Sequence, residues 1–422
     1  MAAAAQPQTK KWSELPEELI LMIGERINLY ADYVRFCSVC VSWYSAIAKN
    51  LCPSRQHQYF PFLLLPCEDD EEDNSDTCNH HLLSLPENSN IYHFRGLPKQ
   101  STSLYCPGSS HGWLVMVEVS NFSIYLVNPF TKVELPLPSL YKFRRVLKNQ
   151  PPMFGVKKVV LSSSPSSSSL LMSSQFQSSN VVAVAIFNGL EALTFSRPGD
   201  KTWGRITFVG QYFSDVLFYR DHLYTISGTV NGSSLQIFVF KLNVDIGGGG
   251  DGRGHGLVPK IVRTLQLPKS YNIGWRSYLV ESCGDLLLVA RDIGGNSVPN
   301  TNPHEGKTIG FKVFKLCGGN DNRSSTWVEM KNLGDRMLFL GVNSSLSLSS
   351  HDFPGCRGNS IYFTHWECRT NHFNVKQYDM GIFNLEDKRI EPLPLQGCTS
   401  STGRHLLQKL CAPPIWLFPY PN

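Results

Sequence analysis

The chain has 422 residues, with 33 Gly, 26 Pro and 12 Cys, and charged residues make up only 17% of it. That length exceeds one small domain, while scarce charge and plentiful Gly and Pro favour strands and turns over long helices. A formal net charge of +5 is too mild to draw a basic stripe, so nucleic acid is not an expected partner.

Residues 1–11 read as a disordered N-terminus, and they contain no apolar run of secretory-signal length. No later stretch reaches the roughly 18 uninterrupted apolar residues of a membrane span. The expectation is a cytoplasmic and/or nuclear protein with no membrane partner and with its cysteines reduced. Cys37 and Cys40 have a metal-like or redox-like spacing, but no second pair with matching spacing follows. Core packing is therefore the preferred reading for them.

Residues 12–50 carry a helical pattern unlike nearly everything after them. Pro16 suits a first helical position, and Glu17 and Glu18 complement the helix dipole. Leu19, Ile23 and Ile27 recur every four residues with Ile20 beside them, which predicts an apolar face. Asp32 is expected to cap a second helix bearing Val34, Phe36, Val39 and Cys40, and a third carries Trp43 and Ile47. Three short helices bury little core, so the unit should depend on a partner or on the following domain.

The run Leu15-Pro16-Glu17-Glu18-Leu19, then Ile23 and Ile27, then Asp32-Tyr33-Val34-Arg35-Phe36, then Val39-Cys40-Val41-Ser42-Trp43 resembles an F-box in order and spacing. That resemblance implies docking on the Skp-type adaptor of a cullin-RING ubiquitin ligase. The implied contacts are Leu15, Pro16, Leu19, Ile23, Ile27, Val39, Cys40 and Trp43. Two departures stand out. Gly24 occupies a helix position usually held by a bulky aliphatic, which points to a lowered adaptor affinity, and Val41 and Tyr44 replace commonly basic residues. The plainer reading is that these are core residues of a small helical cap.

After Cys52 and Pro53 the pattern changes to short apolar or alternating runs between turn residues, the mark of an all-β domain. Residues 51–107 read as a connector and possible first blade with an acidic loop at 68–76, whose strand pairs with the C-terminus. Five further passes open at Gly112, Val181, Asp221, Gly284 and Asn359, and their next strands include Ile124, Ala192, Ile237, Phe311 and Met380. Trp203 and Trp327 fall at comparable places, and the spacing suits the roughly 40 to 50 residues of a propeller blade. Residues 108–422 are thus expected to form a β-propeller, with flexible external inserts near 162–179 (serine-rich) and 247–256 (glycine-rich). The strings around Asn128-Pro129-Phe130-Thr131, 333–341, Asn359-Ser360-Ile361-Tyr362-Phe363 and Pro413-Pro414-Ile415-Trp416 resemble the KIB-type propeller domain of a large plant F-box family. That resemblance implies a kelch-like propeller and a substrate-receptor role.

No Gly-x-Ser-x-Gly elbow, His-Glu-x-x-His or complete P-loop is present. Cys67, Cys78, His80 and His81 form the one local metal-like cluster, with a spacing that matches no standard zinc site. His304, His351, His365 and His372 are scattered, and no catalytic residue, metal site or cofactor is expected. The leading reading is a non-catalytic receptor that brings an unidentified protein target to an SCF-type ligase. Open alternatives are an adaptor-binding scaffold that works outside degradation, and a propeller enzyme or carbohydrate-binding protein.

Overall fold

Apolar periodicity builds three short helices and elementary strand pairing builds the rest. The computed structural model describes residues 12–27, 30–50, 60–65, 77–85, 90–98, 104–118, 120–143, 155–165, 181–187, 192–207, 211–229, 235–244, 257–271, 276–294, 307–318, 325–353, 355–367, 377–393 and 414–419. The chain divides into two units, Met1–Phe60 with Phe418–Asn422, and Pro61–Leu417. No helix among the described residues is long and apolar enough to cross a membrane.

In the first unit a 3-10 turn, Trp12–Glu14, precedes α1 (Glu17–Gly24), α2 (Tyr30–Cys37) and α3 (Val41–Asn50). Pro16 is the N-cap of α1 rather than its first residue, and its carbonyl accepts from the backbone N–H of Leu19 and Ile20. Asp32 lies inside the first turn of α2, because that helix begins at Tyr30; its carboxylate accepts from Arg35 at 2.7 Å instead of capping. Ile20, Phe36, Trp43, Ala46 and Ile47 form the core of this unit, with Leu15, Ile27, Tyr33, Cys37 and Cys40 packed around it.

The second unit is a six-bladed β-propeller. From the inside outwards, blade 1 is Ile415–Leu417, Phe62–Leu65, Thr77–Ser84 and Asn90–Pro98, and blade 2 is Leu104–Ser110, Trp113–Glu118, Ser123–Val127 and Glu134–Pro136. Blade 3 is Val156–Leu161, Ala183–Phe187, Ala192–Ser196 and Gly204–Thr207, and blade 4 is Gln211–Tyr219, His222–Thr229, Leu235–Val244 and Leu257–Gln266. Blade 5 is Arg276–Ser282, Asp285–Ile293, Thr308–Cys317 and Thr326–Met330. Blade 6 has five strands, Leu346–Ser349, Arg336–Leu340, Ser360–Glu367, Gln377–Asn384 and Ile390–Glu391, and its second and third run parallel. From blade 1 through to blade 6 the innermost strand of each blade touches that of the next, and together they form the central ring.

Local turn chemistry sets the repeat. In blades 2, 4 and 5 the inner strand turns into the second strand through two residues of positive φ: His111 and Gly112, Arg220 and Asp221, Cys283 and Gly284. Two left-handed residues make the tight hairpin whose twist matches the flanking strands. Apolar side chains of neighbouring blades then interdigitate between blades 2 and 3, 3 and 4, 4 and 5, and 5 and 6. The comparable positions of Trp203 and Trp327 have a structural cause. Each indole N–H donates to a carbonyl at the outer end of the preceding blade, Pro138 at 2.7 Å and Gln266 at 2.9 Å.

The closed unit starts at Pro61, because Phe62–Leu65, within the stretch read as a possible first blade, pairs with Ile415–Leu417 near the C-terminus and the ring cannot close without it. Trp416 packs edge-on against Phe339 and Tyr362 of blade 6, and its carbonyl accepts from Ser109 Oγ of blade 2. The acidic run 68–76, residues 247–256, and nearly all of 162–179 lie outside the described residues.

Trp416 is completely buried, and its indole N–H has no hydrogen-bond partner among the described residues. Trp416→Ala should therefore cost about 3–5 kcal/mol in urea unfolding, and Trp416→Phe less than half as much, since only packing volume is lost. Equal losses for the two variants would contradict the packing account.

Candidate functional site

The helical unit leaves part of its apolar surface uncovered. On α1, Ile20 and Gly24 turn into the core, whereas Leu19 and Ile23 remain 45% and 41% exposed and Met22 is exposed beside them. Val39 is 53% exposed between α2 and α3, and Val41 and Tyr44 at the start of α3 are open to solvent as well. Pro16 is exposed, while Leu15, Ile27 and Cys40 are half-buried. Trp43 differs from the rest of the expected contact set. It is only 7% exposed, stacks at a tilt on Phe36 with ring centroids 4.5 Å apart, and belongs to the core.

Trp43 also positions the start of the module. Its indole N–H donates to the Trp12 carbonyl at 3.1 Å, and Ser42 Oγ donates to the Ser13 carbonyl at 3.2 Å. Two side chains of α3 thus hold the turn that presents Leu15 and Pro16. Cys40 lies at the same corner, with Sγ 3.0 Å from Ser42 Oγ. Hydrogen bonds from Ser42 and from the Trp43 backbone lower its thiol pKa, whereas burial raises that of Cys37. Both cysteines are free and partly packed.

Met22, at i+3 from Leu19, extends the same stripe and was legible from that spacing, although the sequence reading did not include it. Gly24 is buried where α1 meets Phe36 and Ile47, away from the uncovered face. Of the other candidates, His351 lies exposed 4.0 Å from Asp335, and His365 is on the third strand of blade 6. His304, His372 and Cys67 are outside the described residues, and Cys78, His80 and His81 fall on the strand Thr77–Ser84. Among the described residues no group of three or more His, Cys, Asp or Glu is arranged to hold a metal ion.

The family model for the KIB1-4 β-propeller matches residues 82–384, most of the second unit. The chain belongs to that family. A probable F-box protein of Arabidopsis thaliana is 27% identical over 398 residues, covering 92% of this chain and 93% of the relative. The Arabidopsis F-box protein SKIP23 is 24% identical over 431 residues, covering 90% of each chain. The similarity therefore extends through both units, and the resemblance to a plant F-box protein with a KIB-type propeller is borne out. Among solved structures, the Myceliophteria thermophila Cps50 (Swd1) β-propeller domain aligns with a TM-score of 0.30 and 11% identity, over 74% of this chain and 89% of that one.

A methyl group added at Gly24 would sit in ordinary contact, 3.6 Å from Phe36 and 3.7 Å from Ile47. Gly24→Ala should stabilise the helical unit by up to about 1 kcal/mol, because it restricts the unfolded chain and fills space already available. A fall in the thermal midpoint of that unit would show that the site is tighter than described.

Proposed function

We propose that the protein is the substrate-recognition subunit of an SCF-type E3 ubiquitin ligase, acting in the cytosol or nucleus. The helical unit docks on the Skp-type adaptor, and through it on a cullin-RING ligase. The propeller holds a protein target, and the chain itself performs no chemistry. The observation that carries this reading is the uncovered apolar stripe of Leu19, Met22 and Ile23 with Val39. A unit this small has too little core to leave such residues in water without a use for them.

The adaptor contacts are assigned to Leu15, Pro16, Leu19, Ile23, Ile27, Val39 and Cys40, with Trp43 offering little more than an edge. Fully burying a Leu, Ile or Val side chain is worth about 1.5–3 kcal/mol, so a few of these anchors suffice for a specific interface. The supporting comparison is that the Arabidopsis relatives named as F-box proteins match across nearly the whole chain. A propeller presents side chains from many blades on one rigid frame, which suits recognition. Tethering target and ligase in one assembly makes ubiquitin transfer effectively intramolecular, so a micromolar target affinity of about −8 kcal/mol is enough.

The test is a reconstituted ubiquitination reaction with adaptor, cullin-RING ligase and a bound target. Leu19→Asp combined with Ile23→Asp alters only exposed positions, so the variant should still hold its target while ubiquitination of that target falls to background. Undiminished ubiquitination by the variant would overturn the receptor mechanism.

A further inference from the structure

Four strands of blade 6 bring their termini to one end of its sheet. Arg336–Leu340 and Ser360–Glu367 run parallel and begin there, whereas Leu346–Ser349 and Gln377–Asn384 run against them and end there. Between these termini lies an open depression of about 730 Å³, whose lining includes Asn332, Asp335, Asn359, Asn384 and Glu386. Its frame is tightly clasped. Gly358 packs so closely on the preceding loop that an added Cβ would stand 2.8 Å from the Gly334 carbonyl oxygen.

The three asparagines of this lining are each fixed in one orientation. Asn332 Oδ1 accepts from the Gly334 N–H at 2.6 Å, Asn359 Oδ1 from the Leu333 N–H at 2.8 Å, and Asn384 Oδ1 from the Glu386 N–H at 2.9 Å. With each oxygen spent on the backbone, what each carboxamide has left to give is its NH2 group, a donor. None of the three nitrogens has an acceptor among the described residues. For Asn359 this goes against the rule that buried polar groups are hydrogen-bonded, because the residue is only 7% exposed and its Nδ2 is buried.

Two carboxylates share the lining with these donors. Asp335 accepts from the Ser349 hydroxyl, which lowers its pKa more than burial raises it, so the group is anionic at neutral pH. Glu386 is exposed, and its side chain meets no cation among the described residues. The neighbouring cations are engaged elsewhere or stand off. Arg357, also on the lining, pairs with Glu391 at 3.1 Å, and Arg336 donates to the Ser347 hydroxyl and carbonyl. His351 Nδ1 is 4.0 Å from Asp335 Oδ2. The depression thus offers two negative charges beside a set of amide donors.

We propose that this depression is a subsite for a basic side chain of the protein target, whose cation meets Asp335 and Glu386 while carbonyl oxygens of the same segment accept from the asparagine carboxamides. The choice of a protein-borne ligand rests on the receptor reading. Hydrogen bonds between a cation and a carboxylate are about twice as strong as neutral ones, so a basic segment uses this lining more fully than an uncharged polar group does. An acidic segment would be repelled by both carboxylates.

The test uses the full chain without adaptor or ligase, so failure of adaptor docking cannot mimic failure here. The probes are a capped tripeptide with arginine between two glycines, the same peptide with citrulline (equal in shape but uncharged) or with glutamate, and methylguanidinium, all titrated at matched ionic strength. The arginine peptide should bind about tenfold more tightly than the citrulline peptide or methylguanidinium, and the glutamate peptide more weakly still. Asp335→Asn and Glu386→Gln should each weaken the arginine peptide about threefold or more, and together they should erase its advantage over citrulline. Glu329→Gln, which removes the same charge from the outer strand of blade 5, should change nothing. Glu386→Gln alters only an exposed side chain, so its unfolding midpoint should match that of the native chain. Equal affinity for the arginine and citrulline peptides, tighter binding of the glutamate peptide, or undiminished arginine-peptide affinity in Glu386→Gln would overturn the subsite. Methylguanidinium binding as tightly as the arginine peptide would overturn the part given to the asparagine donors.

Discussion

Ring closure is the constraint on which the propeller depends. The chain enters blade 1 at its second strand, Phe62–Leu65, and supplies the innermost strand only at its far end, as Ile415–Leu417. Those three residues are buried between the second strand of their own sheet and the inner strand of blade 2. The loop that follows Arg336–Leu340 in blade 6 reaches the same place. The Ser344 backbone N–H donates to the Ser109 carbonyl at 2.8 Å, and Gly108 passes so close to the Val342 carbonyl that an added Cβ would stand 2.3 Å away. A propeller sealed this way should unfold as one cooperative unit, since each blade buries its core against the next.

The same geometry decides what the sequence disclosed. Second strands such as Asp285–Ile293 have a strand on either edge and are buried almost throughout, so they read as apolar runs bounded by turns, and third strands such as Thr308–Cys317 alternate. Inner strands form the central ring, where small and polar residues are buried beside apolar ones. Leu104–Ser110 contains Pro107, Gly108 and two serines, Val156–Leu161 contains paired lysines, and Leu346–Ser349 alternates with serine. None of these looks like a strand of a hydrophobic core, and each was missed for that reason. The parallel pairing of Arg336–Leu340 with Ser360–Glu367 was equally hidden, because an inserted hairpin strand breaks the repeat.

In the helical unit the elements were legible, and their orientation was not. α1 is apolar around most of its circumference, so a repeat through Leu19, Ile23 and Ile27 and a repeat through Ile20, Gly24 and Ile27 are equally good helical stripes. The structure puts the second inward, with Gly24 making room for Phe36 and Ile47, and leaves Leu19 and Ile23 outside. Trp43 was the reverse case: a residue whose motif suggested contact is consumed by the core and by the Trp12 carbonyl. The face proposed to dock the adaptor is thereby separated from the unit's stability, because the residues that hold the three helices together are largely not those that remain exposed.

That separation makes the central claim measurable. Calorimetric titration of purified Skp-type adaptor into the full chain, alongside the Leu19→Asp, Ile23→Asp variant checked for an unchanged unfolding midpoint, reads the apolar face directly. The account predicts saturable one-to-one binding at micromolar affinity or tighter, weakened at least a hundredfold by the paired substitution. Equal affinity for the two proteins, or no binding of the native chain, would contradict it.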